Sequence, residues 1–81
     1  MTIAPRKKNV VGPRVAEARG RSTPPLTQDA LSGKLAGIGI QIDRAAIAKI
    51  ESDRRYVLDF ELKALARVLG VSAEWLLGGQ R

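Results

Sequence analysis

Apolar residues recur at helical spacing through most of the chain, which predicts an all-α fold of five helices. The first stripe is Val11, Val15 and Ala18, at positions i, i+4 and i+7. It predicts a helix over about residues 10–19. Pro13 is compatible with this assignment because proline is tolerated in the first turn of a helix.

Two residues with short oxygen-bearing side chains predict the starts of the next helices. Thr27 can cap a second helix over residues 28–36, and Asp43 can cap a third over residues 44–53. Between them, residues 37–42 alternate between glycine or glutamine and isoleucine. A lone strand with two glycines would have no partner in this chain, so we expect a turn with isoleucine anchors.

The fourth helix has the most regular pattern. Its stripe, at i, i+3, i+4 and i+7, is formed by Leu62, Leu65, Ala66 and Leu69. We expect Asp59 to cap it and Gly70 to end it, and Ser72 to cap a fifth helix that reaches Leu77. The predicted core consists of Leu26, Leu31, Leu35, Ile42, Ile47, Ile50, Leu62, Leu65, Leu69, Trp75 and Leu76.

The positive charge is concentrated at the N-terminal end. The chain has 81 residues and a net charge of +6, of which residues 1–25 carry +5. Residues 1–8 include Arg6, Lys7 and Lys8 but no apolar face, so they predict a flexible basic arm. The domain would then span residues 9–79, and the charge favours nucleic acid or an acidic surface as partner.

The composition excludes several classes of function. The chain has no cysteine and no histidine, which removes disulfides, Cys/His zinc sites and imidazole catalysis. No phosphate-binding loop or carboxylate pair is present, so we expect no enzyme, catalytic residue, metal, cofactor or small-molecule substrate. No apolar stretch approaches the roughly 20 residues of a membrane helix, and we expect a soluble cytoplasmic protein with no membrane partner.

The exposed face of the third helix is the most informative pattern. If Ile47 and Ile50 point inward, the outward positions are small or basic: Arg44, Ala45, Ala48, Lys49 and Ser52. A helix in the major groove of DNA needs small residues for close approach and a few long donors for base edges or phosphates. The alternative interpretation is an ordinary solvated helix face.

The sequence also resembles a known family. The matching runs are residues 26–31 (LTQDAL), 34–35, 42–43, 47–51 (IAKIE) and 65–77 (LARVLGVSAEWLL). They are similar to XRE-type, phage repressor and Cro-like helix-turn-helix proteins over about residues 11–78. This resemblance implies a compact five-helix repressor-like domain that binds operator DNA, usually as a dimer. The turn at residues 36–41 departs from the family pattern by about five extra residues, and the loop between the first two helices by two.

The resemblance also implies roles for individual residues. Gln28 matches a position that contacts a phosphate or a neighbouring side chain. Positions that read bases are matched by Arg44, Ala45 and Lys49, and positions that contact the DNA backbone by Ser52, Arg54 and Arg55. Glu51 would pair with Arg19. The basic residues of the arm would follow the DNA backbone or minor groove, as the arms of related repressors do.

These observations predict a sequence-specific double-stranded DNA-binding protein, a small transcriptional repressor that acts as a homodimer on DNA and reads the major groove with residues 44–53. The alternative is a helical protein-interaction module, such as an antitoxin-like adaptor, that docks on an acidic protein. Salt dependence and preference among duplexes would separate the two.

Overall fold

Five α-helices follow one another along residues 7–79, the part of the chain that the computed structural model describes. They are α1 (Gly12–Arg21), α2 (Gln28–Gly37), α3 (Arg44–Glu51), α4 (Asp59–Leu69) and α5 (Ala73–Leu76). The described residues contain no strand. The prediction of an all-α, five-helix fold is therefore confirmed. The expected turn is present over residues 38–42, while Gly37 is the last residue of α2.

Helix α1 lies two residues further along the chain than the stripe predicted. It begins at Gly12, with Pro13 in its first turn as expected, and it ends at Arg21. Its start is fixed by Asn9, whose side-chain oxygen accepts a hydrogen bond of 2.9 Å from the backbone N–H of Gly12. Gly20 does not interrupt the helix, so the predicted end at residue 19 was wrong.

The predicted caps are correct for three helices and wrong for the fourth. The side chains of Thr27, Asp43 and Ser72 accept hydrogen bonds from backbone N–H groups at the starts of α2, α3 and α5. Asp59 is instead the first residue of α4. The N–H that precedes this helix, on Leu58, donates to the Glu61 carboxylate at 3.0 Å.

Helix α3 is two residues shorter than predicted. It ends at Glu51, because the backbone of Asp53 turns into the left-handed region with φ of 63°. Bonds from Asp53 N to Ile50 O and from Arg54 N to Lys49 O close this end as a Schellman motif. Helix α5 likewise ends one residue early, at Leu76.

The core lies between α1, α2 and α4, with α3 packed on α1 and α2 and α5 packed on α1 and α4. Of the predicted core residues, Leu31, Leu35, Ile42, Ile47, Ile50, Leu65 and Leu76 are buried. Leu26, Leu62, Leu69 and Trp75 are only half-buried. Small and β-branched side chains complete the core: Val11, Val15, Ala18, Ala64 and Ala66. Alanines contribute here because they allow the helices to pack closely.

Candidate nucleic-acid interface

Helix α3 presents the face that the sequence predicted. Ile47 and Ile50 are 0% and 1% exposed and anchor the inner side of the helix. The outer side carries the exposed residues Arg44, Ala45, Lys49 and Ser52, with Ala48 half-buried. Asp43 fixes the start of the helix by accepting a 2.8 Å hydrogen bond from the backbone N–H of Ala46.

The long basic side chains on and after α3 are available to a ligand. Among residues 7–79, the ion pairs involve other cations, and none uses Arg44, Lys49 or Arg54. All three of these residues are exposed. A guanidinium or ammonium group without a carboxylate partner keeps its donors for phosphate oxygens or base edges. These three side chains are therefore the strongest candidates for nucleic-acid contact.

A half-buried ion pair holds the inner side of α3 against α1. Arg19 donates to the Glu51 carboxylate through Nε at 2.8 Å and through Nη2 at 3.0 Å. Its third nitrogen, Nη1, donates to the backbone oxygen of Leu26 at 2.8 Å. The hydrogen bond to Glu51 raises the pKa of Arg19. The predicted pairing is confirmed, and the carboxylate of Glu51 is engaged rather than directed at a ligand.

Gln28 joins the same network from the start of α2. Its side-chain nitrogen Nε2 donates to Oε1 of Glu51 at 2.9 Å. Of the two roles implied for this position, contact with a neighbouring side chain is the one seen here. Contact of Gln28 with a phosphate stays a prediction.

A second ion pair shapes the loop after α3. Arg55 donates through Nη1 and Nη2 to the two carboxylate oxygens of Glu61, at 2.9 and 3.0 Å, and Nη1 also donates to Tyr56 O. The hydrogen bond from Arg55 lowers the pKa of the Glu61 carboxyl, although burial acts in the opposite direction. Arg55 thus braces the loop that leads into α4, and its predicted contact with the DNA backbone stays a prediction.

The buried carboxylate of Glu61 was not anticipated from the sequence. It is 5% exposed and accepts hydrogen bonds from Arg55 and from the backbone of Leu58. The available signal was its place in the first turn of α4, where an acidic residue can close a capping box.

The chain before α1 is fastened to the end of α3, a contact that sequence reasoning missed. Oδ1 of Asp53 accepts hydrogen bonds from the backbone N–H groups of Lys8 at 2.8 Å and Asn9 at 3.0 Å. The Asn9 side chain donates to the backbone oxygens of Ile50 and Arg55. Because the partners lie more than 40 residues apart, only the asparagine before a helix start gave a local signal.

The predicted backbone-contacting residues lie together near this junction. Ser52 and Arg54 are exposed, and the Ser52 hydroxyl donates back to Ala48 O at 2.9 Å. Lys7 and Lys8 are exposed as well, with the Lys8 ammonium 5.8 Å from the centroid of the Tyr56 ring. Arg6, with the rest of residues 1–6, lies outside the described residues, and the flexible arm stays a prediction there. Lys8, which the prediction included in the arm, is held by Asp53 through its backbone N–H.

Trp75 lies away from α3, beside two arginines of α1. The guanidinium groups of Arg14 and Arg21 are 4.5 and 5.7 Å from the centroid of its ring. Arg14 also donates to the backbone oxygens of Trp75 and Gly79. This packing ties α1 to α5 through cation–π contact.

Metal-binding clusters and membrane-spanning helices are both absent from the described chain. No group of three or more acidic, histidine or cysteine side chains that could hold a metal ion occurs there. No helix within residues 7–79 has the length and apolarity to cross a bilayer.

Comparison with known protein families gives a match over most of the chain. A family model described as "Helix-turn-helix" matches residues 26–76, which include α2, the turn, α3, α4 and α5. No curated protein matches the chain. The matched residues contain the whole exposed face of α3 and both of the bidentate carboxylates, Glu51 and Glu61.

Proposed function

Because this chain belongs to the XRE/Cro-like helix-turn-helix family of DNA-binding transcription regulators, we propose that it binds double-stranded DNA sequence-specifically as a small repressor. Helix α3 lies in the major groove in this proposal. A repressor acts where the DNA is, so the proposed location is the cytoplasm.

The observation that carries the proposal is the two-sided character of α3. Its inner side is anchored by buried isoleucines and by the Glu51 pair with Arg19, so the helix is held rigidly. Its outer side combines the small Ala45 with the unpaired cations Arg44 and Lys49. A rigid helix with small residues and a few long donors suits the major groove, which admits one helix.

The proposed roles follow from side-chain chemistry. Arg44 can donate both arms of its guanidinium to the O6 and N7 atoms of guanine, and the methyl of Ala45 can contact the methyl of thymine. Lys49 can donate to a base edge or a phosphate. Ser52 and Arg54, beyond the end of α3, would contact the DNA backbone and fix the register of the helix.

Alanine variants on the preferred duplex test this assignment. Arg44→Ala and Lys49→Ala should each cost about 1 to 3 kcal/mol of binding free energy and leave the melting temperature unchanged. The matched control is Lys63→Ala, which removes an exposed, unpaired cation from α4 instead of α3. If all three variants bind as tightly as the parent, α3 does not read the duplex.

We further propose that two copies bind one operator. Tyr56, Leu58 and Phe60 follow α3 and are 64%, 52% and 55% exposed, so three large apolar side chains within five residues face solvent. In this proposal a second copy packs on these side chains around a two-fold axis, and each copy directs its α3 to one half-site. Such dimers bind half-sites about one helical turn, or about 34 Å, apart.

Sedimentation on a duplex with two half-sites tests the second copy. The parent should bind as two copies with cooperativity, and Phe60→Ser should remove the cooperativity. Leu77→Ser is the control, because Leu77 is equally exposed, at 53%, but lies after α5. Unchanged cooperativity in the Phe60 variant would contradict the proposed dimer surface.

A further inference from the structure

Four helices of this domain end in the same way, and at one of the four ends the residue with positive φ is not glycine. Beyond the ends of α2, α3, α4 and α5 the chain has positive φ, at Gly39, Asp53, Gly70 and Gly78 with φ of 87°, 63°, 70° and 102°. In each case the following N–H bonds back to a carbonyl of the last turn. Glycine adopts this conformation without strain, whereas aspartate incurs a steric penalty. We therefore expect contacts of the Asp53 side chain to offset this penalty.

The side chain of Asp53 holds the chain that precedes α1. One oxygen, Oδ1, accepts the backbone N–H groups of both Lys8 and Asn9. Asn9 adds two hydrogen bonds to backbone oxygens around the end of α3, at 3.0 Å to Ile50 and 2.8 Å to Arg55. The bonds that Asp53 accepts from Lys8 and Asn9 come from the main chain, so they fix the path of the backbone without using the Lys8 ammonium, which lies over the Tyr56 ring.

This contact places cations at one end of α3. Lys7 and Lys8 are exposed and immediately precede the fastened Asn9, while Arg54 follows Asp53 directly. The Asp53 carboxylate costs some affinity for a polyanion through repulsion. The same carboxylate holds the backbone of Lys8 and Asn9 and so fixes where Lys7 and Lys8 lie relative to α3.

We propose that Asp53 is a positioning residue of the DNA interface: it holds the backbone of Lys8 and Asn9 so that Lys7 and Lys8 lie at the C-terminal end of α3 and contact phosphates next to those bound by Arg54. This inference rests on the proposed DNA-binding function and adds a residue that touches no DNA itself. Lys7 and Lys8 act with α3 because their position is fixed relative to α3.

Two substitutions at position 53 separate this role from the effect of charge. Asp53→Asn removes the negative charge but keeps a side-chain oxygen and tolerates the left-handed region. Asp53→Gly also removes the charge, relieves the backbone and removes the acceptor. Both variants should fold, as a thermal melt can verify. The difference in DNA affinity between the two variants then reports the effect of the hydrogen bonds that the side chain at position 53 accepts from Lys8 and Asn9.

The expected results are measured on the preferred duplex over a range of salt concentrations. Asp53→Asn should bind as tightly as the parent or more tightly. Asp53→Gly should bind about 3- to 10-fold more weakly than Asp53→Asn, with a salt slope lower by about 1 to 2, near one unit for each phosphate that is no longer neutralised. In a Lys7→Ala/Lys8→Ala background the two variants should bind with nearly equal affinity, because there is little basic charge left to position.

A second readout locates this part of the chain on the duplex. The chain has no cysteine, so Lys7→Cys, directly before the residue that Asp53 holds, provides a single attachment point for an iron chelate that cleaves nearby DNA. In the parent and in Asp53→Asn, cleavage should form one short cluster at the flank next to the end of α3. In Asp53→Gly it should spread over many nucleotides. A purely structural role for Asp53 would not change this pattern.

Equal affinities, equal salt slopes and equal cleavage patterns for Asp53→Asn and Asp53→Gly would overturn the inference while the proposed function stood. A parent protein that shows no preference among duplexes would overturn the proposed function itself. The two failures are therefore distinguishable in one set of measurements.

Discussion

Helix α1 approaches the end of α3 closely at Gly12, and the distances there predict whether a larger residue would stabilise or destabilise the domain. A Cβ added at Gly12 would lie 2.4 Å from the backbone oxygen of Ile50 and 3.1 Å from the Cα and backbone oxygen of Glu51. Ordinary contact begins at 3.4 Å, so the closest pair falls 1.0 Å short. Since all three atoms belong to the backbone, no side chain can turn aside and the helices must separate.

The expected cost of Gly12→Ala follows from this overlap. Forcing one extra carbon into a packed contact costs about 1 to 3 kcal/mol, and the better helix propensity of alanine returns at most about 1 kcal/mol. We expect a net loss of about 1 to 2 kcal/mol in the free energy of unfolding. For a domain of this size that corresponds to a melting temperature lower by about 4 to 16 °C.

The same helix provides the matched control. Gly20 lies in α1, and a Cβ there would have no atom within 4 Å. Gly20→Ala should therefore stabilise the domain by about 0.5 to 1 kcal/mol through helix propensity alone. Thermal and urea unfolding of both variants measures whether each substitution raises or lowers the free energy of unfolding. If Gly12→Ala melts at or above the temperature of Gly20→Ala, the close contact between α1 and α3 is wrong.

Three other predictions concern the ion pairs and the arm. Glu51→Gln should lower the free energy of unfolding by about 2 kcal/mol without raising DNA affinity, because half-buried Arg19 keeps its charge but loses a charged partner. If the variant instead gained affinity with no loss of stability, the Glu51 carboxylate would be only solvated and not paired. The pKa of Glu61 is lowered from its ordinary value of 4.5, so its ionised form stabilises the fold above that pH and this contribution is lost as the pH falls below it. Glu61→Gln should therefore flatten the acid side of a plot of stability against pH, whereas exposed Glu17→Gln should keep the slope of the parent. Deleting residues 1–7 should leave the melting temperature nearly unchanged and reduce the salt slope of DNA binding by up to about 2. Equal salt slopes with and without these residues would show that the arm does not contact phosphates.

Local patterns were sufficient to predict the helices. The stripe through Leu62 and Leu65 and the caps at Thr27 and Asp43 depend only on residues three or four apart, which the sequence displays directly. The exposed face of α3 followed from the same periodicity once Ile47 was placed inside.

Contacts between distant parts of the chain could not be predicted in this way. The bonds of Asn9 and Asp53 join residues 44 positions apart, and nothing local distinguishes Asp53 from an ordinary surface aspartate. The need for Gly12 arises from the backbone of another helix, which the sequence around Gly12 does not contain. The Arg19 pair with Glu51 was predicted, but through resemblance to a family and not through spacing.

The family resemblance could not predict the structure of the turn between α2 and α3, where the chain departs from the family pattern. The longer turn between α2 and α3 is closed by Gly39 in the left-handed region and by Ile38 and Ile40 packed against the core. Asp43 still caps α3 after this turn, and Ile47 and Ile50 remain buried. The extra residues are therefore accommodated within the turn, and the inward and outward sides of α3 stay as predicted.

Selection from a pool of random duplexes tests the central claim most directly. We expect the parent protein to enrich a defined sequence and to bind it at least about 10³-fold more tightly than bulk DNA. The logarithm of its binding constant should fall linearly with the logarithm of the salt concentration. We also expect Arg44→Ala to relax the preference at a single base pair of that sequence. A pool that remains random after selection, with binding that does not change with salt, would contradict the claim that α3 reads DNA.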